Sequence, residues 1–514
     1  MDKRLGLIVL AVLCVRAQAE SFVVTRFDDP LPDACQPADC SLREAATAAS
    51  QNDPFAGTDR IQLAAGTYTL IRGELPLGSR TQVLEIVGAG SAQTHLVTDA
   101  ALFDSVNSRS LLIRGLQFQS TAGIGFSVTG TTAPGHLVLD DVAIPLGGGA
   151  VGASGNDPVD VTLELRNSEI PDGVQCNIGN GTCLIVDSRF SSLYINPSID
   201  PGPTLSMSGS TLDGALDPDD VLTGFVIHRA AGIDITNSTI TRTKVGVHAA
   251  GTPPLSLRLD RVQYSENEVP FRFGNNADIE IIDSVFKNNP TRAIYAEGDS
   301  TWSISGSSFI GNRVDGNAGG AIVVEDDVII SIENSTFAGN SFSVDAAGDG
   351  ARGAAIGYRN GTGARIDLRH VTIARPAIMP VGIEGTTIGG YGGTGQIILN
   401  IDNSILAGSC KFDAGALHHN GGNIESPADS CGFSESTNQV SVSAGNLALG
   451  ALDDYGGHTP TYLPSDDSVA IDSAQAGACV DFDQRGYARP FGGACDVGAV
   501  EIGAGDVLFA DGFE

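Results

Sequence analysis

Lysine is nearly missing from this chain of 514 residues: Lys3, Lys244, Lys287 and Lys411 are the whole supply. With 61 acidic against 29 basic side chains the formal charge is −32, which makes nucleic acid and anionic lipid poor partners. After residue 19 no stretch approaches the roughly twenty apolar residues of a membrane-spanning helix. No Cys-x-x-Cys pair or Cys/His cluster offers a zinc site, and no Gly-x-Ser-x-Gly or phosphate loop offers a nucleophile or a nucleotide cradle. A Trp-Asp blade signature and a leucine-rich helical half are also missing, which argues against a propeller and a leucine-rich repeat.

What the chain has in quantity is one six-residue phrase, written twelve times. The copies are IRGLQF from Ile113, LDDVAI from Leu139, LRNSEI from Leu165, IVDSRF from Ile185, MSGSTL from Met207 and ITNSTI from Ile235. They go on as LDRVQY from Leu259, IIDSVF from Ile281, ISGSSF from Ile304, IENSTF from Ile332, LRHVTI from Leu368 and IDNSIL from Ile401. Most begin 20 to 28 residues after the copy before, and the last two gaps are longer. A period of this size marks a solenoid.

Two residues before each phrase stands another apolar residue, from Leu111 through Trp302 to Leu399. Apolar residues two apart share one face of a strand. The third position is Asn, Asp or Gly in ten copies, types that tolerate positive φ and so a sharp bend. The sixth position is apolar again and points back inward. Strand, bend, strand is one corner of a flattened coil, which buries its apolar side only by stacking on neighbours at about 4.8 Å per coil. Twelve coils give a rod of roughly 55 Å on that spacing. Asn167, Asn237, Asn334 and Asn403, with Asp187 and Asp283, take the bend, where the Asn are expected to be structural and to form side-chain ladders between adjacent copies. The expected fold is all-β, a right-handed parallel β-helix with a short N-terminal capping helix and an irregular, disulfide-held C-terminal end piece.

Residues 1–19 read as a secretory signal: Lys3 and Arg4, an apolar core from Leu5 to Val15, and Ala17-Gln18-Ala19 before the cut. The mature chain then starts near Glu20 and is secreted or displayed at the cell surface; loss of three basic and one acidic residue leaves −34. Eight cysteines remain, and nearest-neighbour pairing gives Cys35–Cys40, Cys176–Cys183, Cys410–Cys431 and Cys479–Cys495. Ser41-Leu42-Arg43-Glu44 spells a capping box, so a helix from Ser41 to Gln51 is expected to lid the first coil with Leu42, Ala45, Ala46 and Ala49. Residues 20–90 make this cap and the first coils, 91–406 the repeats, 407–501 the end piece and 502–514 an acidic tail.

The segment Cys40-Ser41-Leu42-Arg43-Glu44-Ala45, followed by DRIQLAAGTYTL, resembles the N-terminal CSLREA module of secreted bacterial β-helix proteins. LALGALDDYGGHTPTYLP (Leu447 to Pro464), AIDSA (Ala470 to Ala474) and DQRGYARPFGGACDVGAVE (Asp483 to Glu501) resemble the choice-of-anchor Q end domain. FIGN, GGAI and FAGN (Phe309, Gly319 and Phe337 onward) are similar to the repeats of polymorphic outer-membrane proteins. These resemblances imply a bacterial surface or secreted protein and name no reaction.

One constellation falls in register. Aligning AIYAEGDSTWSIS from Ala293 with AIVVEDDVIISIE from Ala321 stacks Glu297 on Glu325 and Asp299 on Asp327, with Asp326 beside them. Such oxygens suit calcium, which lyases use against an acidic sugar; a solvated turn edge is the plainer alternative. No other cofactor is called for. A lyase also needs a base and a neutraliser, for which Arg242, Lys244, His248, Arg272 and Arg292 are the candidates. His418 and His419 read as loop composition rather than a metal site. The contrasting class is an adhesin-like or matrix rod that binds polysaccharide or cell-surface glycan, with Gly-rich insertions at 341–355 and 374–396 as its loops. The missing catalytic set favours this second class.

Overall fold

The computed structural model describes residues 20–503 except 52–56, 78–82, 99–105, 108–109, 121–125, 131–134, 148, 198–201, 218–223, 247–254, 275, 315–318, 343–352, 361–362, 375–385, 394–396 and 413–415. Apolar alternation and the bend produce the expected coil, a parallel β-helix with three faces. The first face carries strands such as Gly232–Thr236, Leu255–Asp260, Ala277–Ile282, Thr301–Ser305, Ile329–Glu333, Arg365–Arg369 and Ile398–Asp402. After each bend comes a short second-face strand, for example Thr239–Thr241, Gln263–Ser265, Ser308–Ile310, Thr336–Ala338 and Thr372–Ala374. In the later coils the third face is built from Phe271–Phe273, Ile294–Ala296, Ile322–Val324, Ile356–Asn360 and Ile388–Gly393. Equivalent residues stack directly: Leu205, Ile233, Leu257, Ile279, Trp302, Ile330, Ile366 and Leu399 form one column.

The residue two before each phrase and its first and sixth positions are all at most 3 % exposed and belong to one continuous apolar cluster. Each such side chain contributes roughly 1.5–3 kcal/mol on burial. Aromatic sixth positions stack, Phe286 on Phe309 at 5.1 Å and Phe309 on Phe337 at 4.7 Å between ring centroids. All twelve bend residues have positive φ, from 44° at Asn334 to 63° at Gly115. Arg261 (55°) and His370 (50°) comply although neither type favours that region, so stacking of the flanking strands overrides local preference.

Two ladders satisfy the backbone where the bends interrupt the sheets. Ser at the fourth position bonds the carbonyl two residues back and accepts from the fourth-position N–H of the preceding coil, as in Ser168 N to Ser188 Oγ, Ser188 N to Ser210 Oγ and Ser210 N to Ser238 Oγ, each 3.1 Å. The asparagine ladder expected at the first bend lies instead at the second, where Asn267, Asn289, Asn312 and Asn340 are buried and the backbone N–H of each of the first three donates to the next Oδ1 at 3.0–3.2 Å. Asn167, Asn237, Asn334 and Asn403 do occupy the first bend, but Asp, Gly, Arg or His copies separate them, so they cannot form one run.

The N-terminal cap closes as its spelling predicts. In the helix Leu42–Gln51, Ser41 N–H donates to Glu44 Oε2 at 2.7 Å and Glu44 N–H to Ser41 Oγ at 3.3 Å. Arg43, buried, grips Asp29 through two bonds of 2.7 and 3.0 Å. The four disulfides join the sequence-local pairs Cys35–Cys40, Cys176–Cys183, Cys410–Cys431 and Cys479–Cys495.

The C-terminal region departs from expectation once and makes contacts that no sequence motif announced. Coiling continues past residue 406, because Leu417–Gly421 pairs with Ile398–Asp402 and Ile424–Ser426 with Ile405–Ala407. Beyond that, the end piece does not simply close the rod; it folds back along the bend and second face. Thr459 Oγ1 donates to Gly306 O at 2.6 Å, Gln484 Nε2 to Ser308 Oγ at 2.9 Å, Asn334 Nδ2 to Phe482 O at 2.8 Å and Ala499 N–H to Thr372 Oγ1 at 2.9 Å.

Candidate functional site

The carboxylates picked out by register alignment do stack: Ile294–Ala296 pairs with Ile322–Val324, and Glu325 N–H donates to Ala296 O at 2.9 Å. Their chemistry differs from a cation cage. Arg272, one coil earlier on the third face, donates to both Glu297 oxygens at 2.7 and 2.8 Å. Tyr295 donates to Glu325 Oε2 at 2.6 Å, and Arg359 lies 3.9 Å from the same carboxylate. The guanidinium carbons of Arg272 and Arg292 sit 4.8 and 5.3 Å from the Tyr295 ring centroid. Burial, then the Glu325 carboxylate, push the Tyr295 phenol up to about 12. Asp299, Asp326 and Asp327 lie exposed on the turns. Among the described residues no group of three or more His, Cys, Asp or Glu side chains is placed to hold a metal ion. The outcome is a ladder of guanidinium, carboxylate and phenol that neutralises itself.

Of the remaining basic candidates, Arg242 is engaged elsewhere. Arg242 sits at a second bend with φ 54° and bonds Asp213 at 2.9 and 2.5 Å, sharing that carboxylate with Arg189 at 2.9 Å. Burial alone would raise Asp213, but the bonds from Arg242 and Arg189 outweigh it and hold the carboxyl below its ordinary value. Lys244 is half-buried in the turn toward the third face. His248 lies outside the described residues. Arg242 is therefore placed as an ion-pair partner of Asp213.

A second polar surface was not anticipated from the sequence. On the outer side of the first face a groove of about 660 Å³ is lined by Arg365, Asp367 and Arg369 from one coil, Asn400 and Asp402 from the next, and His418 and His419 from the last, among others. The two histidines, read as loop composition, stand on the strand Leu417–Gly421, where His418 pairs in register with Asn400. Arg365 Nε donates to both Asp367 oxygens at 2.9 and 2.8 Å, Asn400 donates to Asp367, and Asn420 Nδ2 donates to Asp402 at 2.9 Å. His419 Nδ1 lies 3.3 Å from Asn438 Nδ2, and its ring packs edge-on to Phe433. Ile329 and Ile398, which flank Arg365 in register, are about half exposed. The groove thus offers fixed planar polar groups beside apolar patches. The signal was the outward register of Ser331, Asp367, Asn400 and His418, which long, unequal gaps between the last copies hide.

The family described as the right-handed β-helix region matches residues 172–337, the middle of the rod. The chain therefore has the right-handed parallel β-helix fold that its strand pairing displays. Among solved structures it is similar to the crystal structure of pectate lyase Pel9A, at 11 % identity over 94 % of this chain and 96 % of that one, with a TM-score of 0.24. No curated protein matches the sequence.

Proposed function

We propose that the protein is a secreted or cell-surface rod that binds polysaccharide along the groove on its first face. The observation that carries this reading is the groove itself, where Arg365, Asp367, Arg369, Asn400, Asp402, His418 and His419 project from three successive coils. Sugars present hydroxyl edges and apolar ring faces, and a site that suits them combines planar hydrogen-bonding side chains with apolar contacts. Coils advance by about 4.8 Å, so a chain of sugar rings laid across the strands meets a new set of side chains at each step. The bonds among Arg365, Asp367 and Asn400 hold these groups in place before a ligand arrives, which lowers the ordering cost of binding. Four disulfides suit an oxidising compartment, and among the described residues no helix is long and apolar enough to cross a membrane. The CSLREA-like and choice-of-anchor Q-like ends are consistent with the same setting.

The test is to pass the mature protein over neutral and uronate polysaccharides, pectate and alginate included, with calcium present, while following absorbance of an unsaturated product. Retention without product is expected, weakened about tenfold or more (~1.4 kcal/mol) by Arg365→Ala and His418→Ala at unchanged melting temperature. Turnover would replace the binding reading with a lyase, and failure to bind any polysaccharide would end it.

A further inference from the structure

The first-face groove has a charge pattern that its shape alone does not require. Three outward columns cross the strands there. In one, Arg365 stands between Ile329 and Ile398; in the next, Asp367 and Asn400 follow Ser331 and lead to His418; in the third, Glu333, Arg369 and Asp402 follow one another. Both guanidinium groups face carboxylates. Arg365 is held by Asp367 at 2.8 Å, and Arg369 lies 3.6 Å from Glu333 and opposite Asp402 in register. Asp402 takes hydrogen bonds from neutral donors, the backbone N–H and the side-chain amide of Asn420. Among the described residues these columns therefore carry one carboxylate more than guanidinium, in a chain of formal charge −32.

We infer that the groove selects uncharged polysaccharide over uronate chains, an inference that rests on the reading of the groove as a polysaccharide site. A sugar hydroxyl donates to a carboxylate and accepts from a guanidinium, so a vicinal diol bonds Arg365 and Asp367, or Arg369 and Asp402, without disturbing their charge balance. Such bonds are charge-assisted and roughly twice as strong as those between neutral groups. Arg365 holds Asp367 through Nε, which leaves the terminal amino groups of its fork as donors for a sugar oxygen. A uronate instead brings a carboxylate to a surface already in negative excess. It has to compete with Asp367 and Glu333 for the two guanidinium groups and to lie close to Asp402, where like charges repel. Half-exposed Ile329 and Ile398 offer apolar contact to either kind of ring, so the charges decide between them.

The test measures retention of the mature protein on pectate and alginate against methyl-esterified pectin and neutral glucan, mannan, galactan and xylan. Calcium is left out, because a bridging cation hides the repulsion, and the pH is held at about 8, where an ordinary imidazole is uncharged. At about 20 mM salt, where screening is weak, at least one neutral chain is expected to be held about tenfold or more tightly than either uronate. The gap is expected to narrow as salt rises to about 0.5 M. Asp402→Asn, which removes the excess carboxylate, is expected to narrow it about threefold or more at low salt. Tighter retention of a uronate chain than of every neutral one, or a preference that ignores both salt and Asp402→Asn, would overturn the inference and leave the polysaccharide reading standing. If Asp402→Asn does not fold, the salt dependence decides. Retention of none of these chains would end both.

Discussion

The rod has two halves written in the same phrase and living in different surroundings. From Asn167 to Gln263 the third and fifth positions of the phrase are exposed or half-buried: Asn167, Asp187, Gly209, Asn237 and Arg261 at the bend, Glu169, Arg189, Thr211, Thr239 and Gln263 beyond it. From Gly306 onward both are buried: Asn334, His370 and Asn403 at the bend, Ser308, Thr336, Thr372 and Ile405 beyond it. The end piece makes the difference, with His458, 4.0 Å from Asp283, near the margin of the covered zone. A repeat thus fixes what points inward, while what points outward is free to serve whatever lies against it. In the open half that is water and charge; in the covered half it is a second layer of protein held by buried hydrogen bonds.

The largest effect should come from buried charge in the cover. Arg489 pairs with Glu501 at 2.9 Å with both side chains essentially without exposure. Arg489→Ala is expected to cost about 3–5 kcal/mol by leaving Glu501 uncompensated. In the open half, Arg258→Ala, which breaks a 2.7 Å pair with exposed Glu280, should cost no more than about 1 kcal/mol in the same denaturant titration.

The interface between the layers should also carry an acid response made of two opposed parts. Burial first, then nearby Arg489, pulls His370 down to about 3. Its contribution is full above the ordinary value of 6.5 and is lost as pH falls below it, by about 1.4 kcal/mol per pH unit. Burial pushes Asp496 up to about 6; its contribution is full below the ordinary 3.8 and is lost as pH rises toward 6, the opposite slope. Between pH 6 and 4 the two offset each other. Asp496→Asn should therefore make the protein acid-labile over that interval, whereas His370→Asn, which suits the left-handed bend, should gain stability on acidification. Melting curves of both variants against pH check this, and parallel profiles would contradict it.

A smaller contrast separates two glutamines. Gln484 donates to Ser308 and Thr459 at 2.9 and 2.8 Å and accepts from Thr336 at 2.6 Å. Gln484→Ala should cost about 1–3 kcal/mol by stranding those hydroxyls. Gln263→Ala, on the exposed fifth position, should stay within about 0.5 kcal/mol.

The inward half of this molecule was legible in the sequence because burial repeats with the coil: the column from Leu111 to Leu399, the bends and the capping box of Ser41 and Glu44 each follow from local chemistry. The docked cover was hidden because its partners are remote; Gln484 meets Ser308 across 176 positions, and no short motif announces that. One trace was visible: His370 stands at a bend that ten other copies give to Asn, Asp or Gly, and its ring lies between Gly498 O and Asn403. The groove was missed for a related reason, since Asp367, Asn400 and His418 become neighbours only when two unequal gaps are threaded onto one register.

The division of the rod into an open and a covered half is tested most directly by thiol labelling, because the eight cysteines of residues 20–514 are held in four disulfides. Thr239→Cys and Ser308→Cys occupy the same fifth position on the two halves. The thiol at 239 should react at the rate of a surface cysteine in the native protein, and the thiol at 308 only after denaturant releases the end piece. Equal native reactivity at both positions would contradict the account.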